Sequence, residues 1–434
     1  MLPERRRLVN DHAPCDHGCV RAKDRRVAAV ALFGLLACRT PAAEPEATWV
    51  RWFPFARIGT FASPDGHWLV VGGVDEGSVS PRYGETAIDR WVSVIDAESG
   101  DELTRWDDLG GSRYGGLAPV AIDDARTVYA LALDRSGVVP GEAPLAPLPC
   151  RLLAIGTDGG VRWSIDDALW RDGLPEGTQR CPAAVSLVDD VLIVAAGSAL
   201  WGLSRDGAVL WSGALSYAPL HVARDTDGLW FSPGDGALDG DEPSAAQLDH
   251  CSARTGAIQS TTLARTRGRV SGIAVTPELL VLRRCELQST LELTCKLVGH
   301  GRDGALRWQT PVVERSPASS GPLVVDASGV WATSTGSFTP PPDGDPEQVI
   351  EERRWMVLKH FDREGHRDLD VRRSFALSPA ARIDARACES SDVLMGPIEG
   401  SGVSSALALP GGALAVSGRQ GCRDAFLLRL ETRR

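Results

Sequence analysis

Clusters of histidine, cysteine and carboxylate are where a chain can hold chemistry, and this one offers few. "HAPCDHGC" places His12, Cys15, His17 and Cys19 within eight residues, close enough for nitrogen and sulfur to share a metal ion. The competing reading is that translation starts near Val20 and residues 1–19 lie upstream of the true start. Asp235, Asp239 and Asp241, with Glu242, form one acidic stretch and Asp343 with Asp345 another. Such hard oxygens suit Ca²⁺, but neither stretch has the alternating ligands of an EF-hand, and a solvated loop is the plainer reading. No G-x-S-x-G elbow is present, and no Lys follows Gly in a phosphate-loop pattern. "GDGALDG" (234–240) has the wrong spacing for a dinucleotide turn. No catalytic residue is assigned and no cofactor is expected.

Any site must therefore be built by the scaffold, and composition bounds that scaffold. The chain has 434 residues, 43% hydrophobic and 24% charged, with 46 Gly and 28 Pro, a turn-rich mixture. "VAAVALFGLLA" (27–37) follows Arg21, Lys23, Arg25 and Arg26. Its length and flanking charge fit the core of a signal peptide and are too short to cross a bilayer. Removing residues 1–37, with seven basic and four acidic side chains, shifts net charge from −11 to −14. An acidic product of this kind is a poor partner for nucleic acid or anionic lipid.

The elements repeat. "TDGGVRW" (157–163), "RDGAVLW" (205–211) and "RDGALRW" (302–308) end at Trp163, Trp211 and Trp308, spaced by 48 and 97 residues. "RTGAIQS" (254–260) fills the missing place, with Ser260 where Trp would stand, and Trp106 and Leu369 extend the series outward. A period near ~50 means a solenoid or a propeller. Between these copies stand seven segments of apolar run, tight turn and apolar run, such as "FASPDGHWLVVGG" (61–73) and "LVVDASGVWATS" (323–334). Each reads as a β-hairpin. Every unit is then four strands, a to d, and the seventh lacks its d strand. "WVRW" (49–52) matches "GVRW" (160–163) and can supply it, closing the ring and removing an open edge. The expectation is an all-β, seven-bladed β-propeller over 49–434.

"VIDAESGDELTRW" (94–106) and "RDGALRW" resemble the tryptophan-ended blades of PQQ-like propellers, including outer-membrane assembly lipoproteins of that kind. "SPDG" (63–66) resembles the a–b turn of TolB-like and WD40-like blades, and "DAFLLRL" (424–430) resembles strand c of bacterial seven-bladed repeats. The adjacent Cys pair of many PQQ dehydrogenases is absent, and "SRDGAVLW" lacks the spacing of a sialidase Asp box. "LLAC" (35–38) resembles a bacterial lipobox, which implies cleavage before Cys38 and lipid on its thiol; a plain cleaved secretion signal is the alternative. Residues 38–48, with "RTPAAEPEAT", then read as a tether reaching roughly 30 Å if extended.

Propeller b–c and d–a connections emerge on one face, a–b and c–d turns on the other. The long segments are 74–90, 134–149, 232–246 and 337–354, all b–c, and 165–183 and 370–403, both d–a. Insertions gathered on one face point to binding there. Cys150 with Cys181, Cys285 with Cys295, and Cys388 with Cys422 are placed to staple these loops, leaving Cys251 as a small buried hydrophobe. Trp170, Arg171, Arg353, Arg354 and Trp355 are the candidate interface anchors, with solvated surface charge as the alternative. His250 and His360 fall at matching places in strand c, with His300 one place off, near the short turns; structural roles are expected. The functional expectation is an exported, monomeric, lipid-anchored scaffold, binding another envelope or extracellular protein through its loop-rich face. The alternative is a ligand or glycan processor with a site in the central funnel.

Overall fold

The hairpin signals resolve into seven four-stranded antiparallel sheets, each a simple meander. Blade 1 is β2 (Ala56–Ala62), β3 (Trp68–Asp75), β4 (Arg90–Asp96) and β5 (Glu102–Trp106). Blade 2 is β6 (Tyr114–Ile122), β7 (Val128–Asp134), β8 (Cys150–Ile155) and β9 (Val161–Ile165), and blade 3 is β10 (Ala184–Val188), β11 (Val191–Ala196), β12 (Ala199–Ser204) and β13 (Val209–Ala214). Blade 4 is β14 (Pro219–Arg224), β15 (Gly228–Pro233), β16 (Gln247–Ser252) and β17 (Ile258–Thr262). Blade 5 is β18 (Arg269–Val275), β19 (Leu279–Ser289), β20 (Glu292–Gly301) and β21 (Leu306–Pro311). Blade 6 is β22 (Ser320–Val325), β23 (Gly329–Ser337), β24 (Arg354–Asp362) and β25 (Arg367–Ser374).

Blade 7 has the order β1-β28-β27-β26, where β1 is Glu46–Phe53, β26 Gly402–Leu409, β27 Ala413–Gln420 and β28 Asp424–Glu431. The strand from the far end of the chain thus forms the outer edge of the last blade, with Trp52 opposite Phe426 and Val50 opposite Leu428. It begins at Glu46, inside the stretch read as tether. This computed structural model describes residues 46–53, 56–75, 90–106, 114–134, 149–171, 181–233, 246–289, 292–312, 320–337, 354–374, 402–420 and 424–432. Among them 3-10 turns span Asp167–Leu169 and Pro410–Gly412.

Burial explains the strand patterns. Strand b lies between neighbouring blades, and in blade 3 it reads as one apolar run: every residue of β11, "VLIVAA", is buried. Strand d lies on the rim, and β13 and β21 alternate between exposed and half-buried residues. The core is divided into wedges between blades. Leu229 and Phe231 of blade 4 pack on Ile193 and Ala195 of blade 3, and Leu409 and Ala415 of blade 7 pack on Leu69 and Val71 of blade 1.

Candidate functional site

The recurring "RDGA…W" motif joins blades. Trp163 donates through Nε1 to the Arg205 carbonyl at 2.6 Å, Trp211 to Ala253 at 2.7 Å, Trp308 to Arg363 at 2.9 Å and Trp49 to Ala97 at 3.3 Å. Each acceptor lies in the c–d turn of the next blade. The indole then covers a left-handed glycine in that turn; at Gly256 (φ +70°) a Cβ would lie 2.6 Å from Trp211. Blade 4 has no Trp in this place, and the Thr262 carbonyl meets Gly304 instead.

The motif arginine makes a second link, back to the a–b turn of the preceding blade. Arg302 pairs with Asp225 at 2.6 Å, Arg205 lies 3.7 Å from Asp123, and Arg363 pairs with Glu278 at 3.2 Å. A groove of about 610 Å³ opens beside the last of these, lined in part by Arg302, Asp303, Arg307 and Trp308. Its arginines are already paired, Arg307 with Asp303 at 3.1 Å.

The a–b turns "DTDGLW" (225–230) and "DASGVW" (326–331) share a further network. Asp326 accepts from Trp331 Nε1 at 2.6 Å and from the Ser328 and Gly329 amides at 2.7 and 3.0 Å. His360, fully buried, packs edge-on against Trp331. Its Nδ1 is 2.6 Å from Asp368 and its Nε2 is 3.3 Å from Ser328 Oγ. The order Ser–His–Asp is that of a nucleophile with its base. However, Ser328 Oγ donates to Asp326 Oδ1 at 2.5 Å, so its proton is held away from the imidazole and the group acts as a turn clamp. Burial alone would raise the Asp326 pKa, but hydrogen bonds from His360, Ser328 and Trp331 outweigh it and hold the carboxyl well below the usual carboxylate range.

His250 stands opposite Trp230 in blade 4 as His360 stands opposite Trp331, confirming their equivalence. His300 lies one place later, buried, 3.3 Å from the Gly304 carbonyl; burial pushes its pKa down. Two groups of potential metal ligands come together among the described residues: Asp225, Asp227 and His250, and Asp362, Glu364 and His366. Sequence reasoning missed the first group; the visible signal was an Asp-x-Asp turn ending in Trp, followed by His in strand c.

On the opposite face, both ends of all six long connections leave the same edge of the ring, because they join b to c or d to a. A disulfide joins Cys150 to Cys181, tying the start of β8 to the approach to β10. A second joins Cys285 to Cys295, which face each other across β19 and β20. Cys251 is free and buried in β16, its thiol pushed up to about 11 by burial. Arg171 is exposed and 2.6 Å from Asp167. Trp170 differs from the expected interface anchor: it is fully buried between blades 2 and 3, capping the 3-10 turn, because its indole fills the wedge beside Leu152 and Val194. Arg354 and Trp355 open β24 on the loop-bearing face. Cys38, Cys388, Cys422, Arg353, Asp235, Asp239, Asp241, Asp343 and Asp345 lie outside the described residues.

No family profile matches the sequence, and no curated protein matches it. Several solved structures are similar to this chain. BamB from Moraxella catarrhalis is 12% identical with a TM-score of 0.41, over 86% of this chain and 83% of that one. Hsv2 from Kluyveromyces lactis is 8% identical with a TM-score of 0.44, over 84% and 90%. The β-propeller domain of the Trilobed protease from Pyrococcus furiosus is 6% identical with a TM-score of 0.49, over 88% and 97%. These likenesses concern fold alone. Among the described residues no helix is long and apolar enough to cross a membrane.

Proposed function

We propose that this chain is an exported scaffold of the cell envelope, lipid-anchored through Cys38, that binds another protein with its loop-bearing face. The observation that carries this reading is the unequal use of the two faces. The short turns are occupied with holding the ring together: their arginines, glycines and carbonyls serve neighbouring blades. The other face receives all six long connections, and both described disulfides lie toward it. A framework of sheets carrying long connections on one face offers room for recognition with little of the framework to reorder on binding. The signal-like run at 27–37 and "LLAC" support export and anchoring.

The test is a crosslinked pull-down of membrane-extracted protein beside a variant with 337–354 and 232–246 shortened. One specific protein recovered with the full chain and lost with the variant supports the reading; equal recovery from both refutes it. For the anchor, Cys38→Ala should cease to float with membranes, and unchanged flotation removes that part.

A further inference from the structure

We propose that Asp225, Asp227 and His250 form a binding site for one divalent transition-metal ion of the zinc class, on the short-turn face of blade 4. Their ligand atoms all lie within 4.8 Å of one another. The residue that points to an ion is His250. It is 9% exposed, and its enclosed Nε2 makes no hydrogen bond; that nitrogen stands 3.3 Å from Asp227 Oδ1 and faces the two carboxylates. Ligands at about 2.0–2.2 Å from a tetrahedral ion are roughly 3.3–3.6 Å apart, so this pair already has the spacing of one tetrahedral edge.

Blade 6 shows what the same turn does without such a role. There Ser328 stands where blade 4 has Asp227, and its hydroxyl meets the imidazole Nε2. Asp368 takes the other ring nitrogen, and it is available only because a bulge in β25 inserts an extra residue between the partners of His360 and Phe361. Blade 4 runs in unbroken register from His250–Gln259 to Cys251–Ile258, so it has no residue in that place. Blade 4 therefore exchanges a neutral hydroxyl for a second carboxylate and removes the acid that would otherwise orient the histidine.

The surroundings suit an ion. Asp225 is fixed by Trp230 Nε1 at 2.9 Å and Arg302 at 2.6 Å, the outer hydrogen bonding that orients a ligating carboxylate. The Asp227 side chain is 72% exposed, leaving the fourth position open to water. One imidazole nitrogen with two carboxylate oxygens is a borderline donor set, matching zinc-class ions better than Ca²⁺ or Mg²⁺, which take six or more oxygens. Arg302 offsets one carboxylate, so affinity should be about micromolar.

The experiment titrates untagged, full-length, chelator-stripped protein carrying Cys15→Ser and Cys19→Ser, which removes the thiolates of the 12–19 cluster, with Zn²⁺, and with Co²⁺ followed by its visible absorption. One equivalent should bind with a tetrahedral Co²⁺ spectrum. Asp227→Ser, which copies the blade 6 turn, and Asp227→Asn should each weaken binding by about tenfold or more while leaving the folded circular-dichroism spectrum intact. His366→Ala, in the other acidic turn, should leave it unchanged. No binding in the chain with Asp227 and His250 intact, up to about a thousand times the expected constant, would overturn the site. Binding kept by both Asp227 variants, or lost with His366→Ala, would overturn it equally by placing the ion elsewhere.

Discussion

Alanine at Gly256 isolates the docking of one blade on the next. Gly256 has φ +70° and sits under Trp211, where a Cβ would lie 2.6 Å from two indole atoms. Gly411 has nearly the same backbone, φ +76°, with no atom within 4 Å of where a Cβ would stand. Both substitutions bear the cost of a left-handed alanine, about 1 kcal/mol. Only Gly256→Ala must also displace the half-buried indole, losing the 2.7 Å bond to the Ala253 carbonyl, about 1 kcal/mol, and about 1–2 kcal/mol of apolar burial. Urea unfolding should therefore show Gly256→Ala to be about 2–3 kcal/mol worse than Gly411→Ala. In a Trp211→Ala background that excess should vanish, leaving about 1 kcal/mol. Equal penalties for the two glycines, or an undiminished excess without Trp211, would refute the docking argument.

Three other expectations are open to direct measurement. Removing residues before 54 bares the β28 edge, so the shortened protein should self-associate in sedimentation runs where the full chain does not. Serine pairs in place of Cys150–Cys181 should cost more stability than those in place of Cys285–Cys295, by about 1 kcal/mol, because the loops closed are 31 and 10 residues; chemical denaturation of both variants decides it. Asp326 has a depressed folded pKa, so its contribution is present above the unfolded value near ~3.9 and is lost as pH falls below it. Asp326→Asn should be less stable at neutral pH, yet lose less further stability between about pH 5 and 3 than the parent does; thermal melts across that range test it.

The architecture was legible because docking makes the same demands at each junction. A Trp that must reach the next turn, and a glycine that must lie beneath it, recur at a period long enough to count. β1 was legible by its tryptophans, but the match of "WVRW" to "GVRW" put Trp52 in the docking place; Trp49 holds that place, on the Ala97 carbonyl, while Trp52 packs against Phe426. The networks were not. Asp326 and His360 meet across a long b–c connection, and Arg302 reaches Asp225 from another blade, so neither pair shares a local pattern. Trp170 misled because a Trp–Arg step within a connection looks like surface, and periodicity gives no direction to a side chain outside a strand.

The pairing of β1 with β28 also orders events in time. Of the strands described, the earliest to leave a ribosome must wait for the latest, since Trp52 meets Phe426 across nearly the whole chain. Local hairpins can form at once, but the ring seals only by the slowest kind of contact, one of very large sequence separation. A product stopped short of β28 has every earlier blade and no latch, which makes completeness of synthesis a condition of a closed fold.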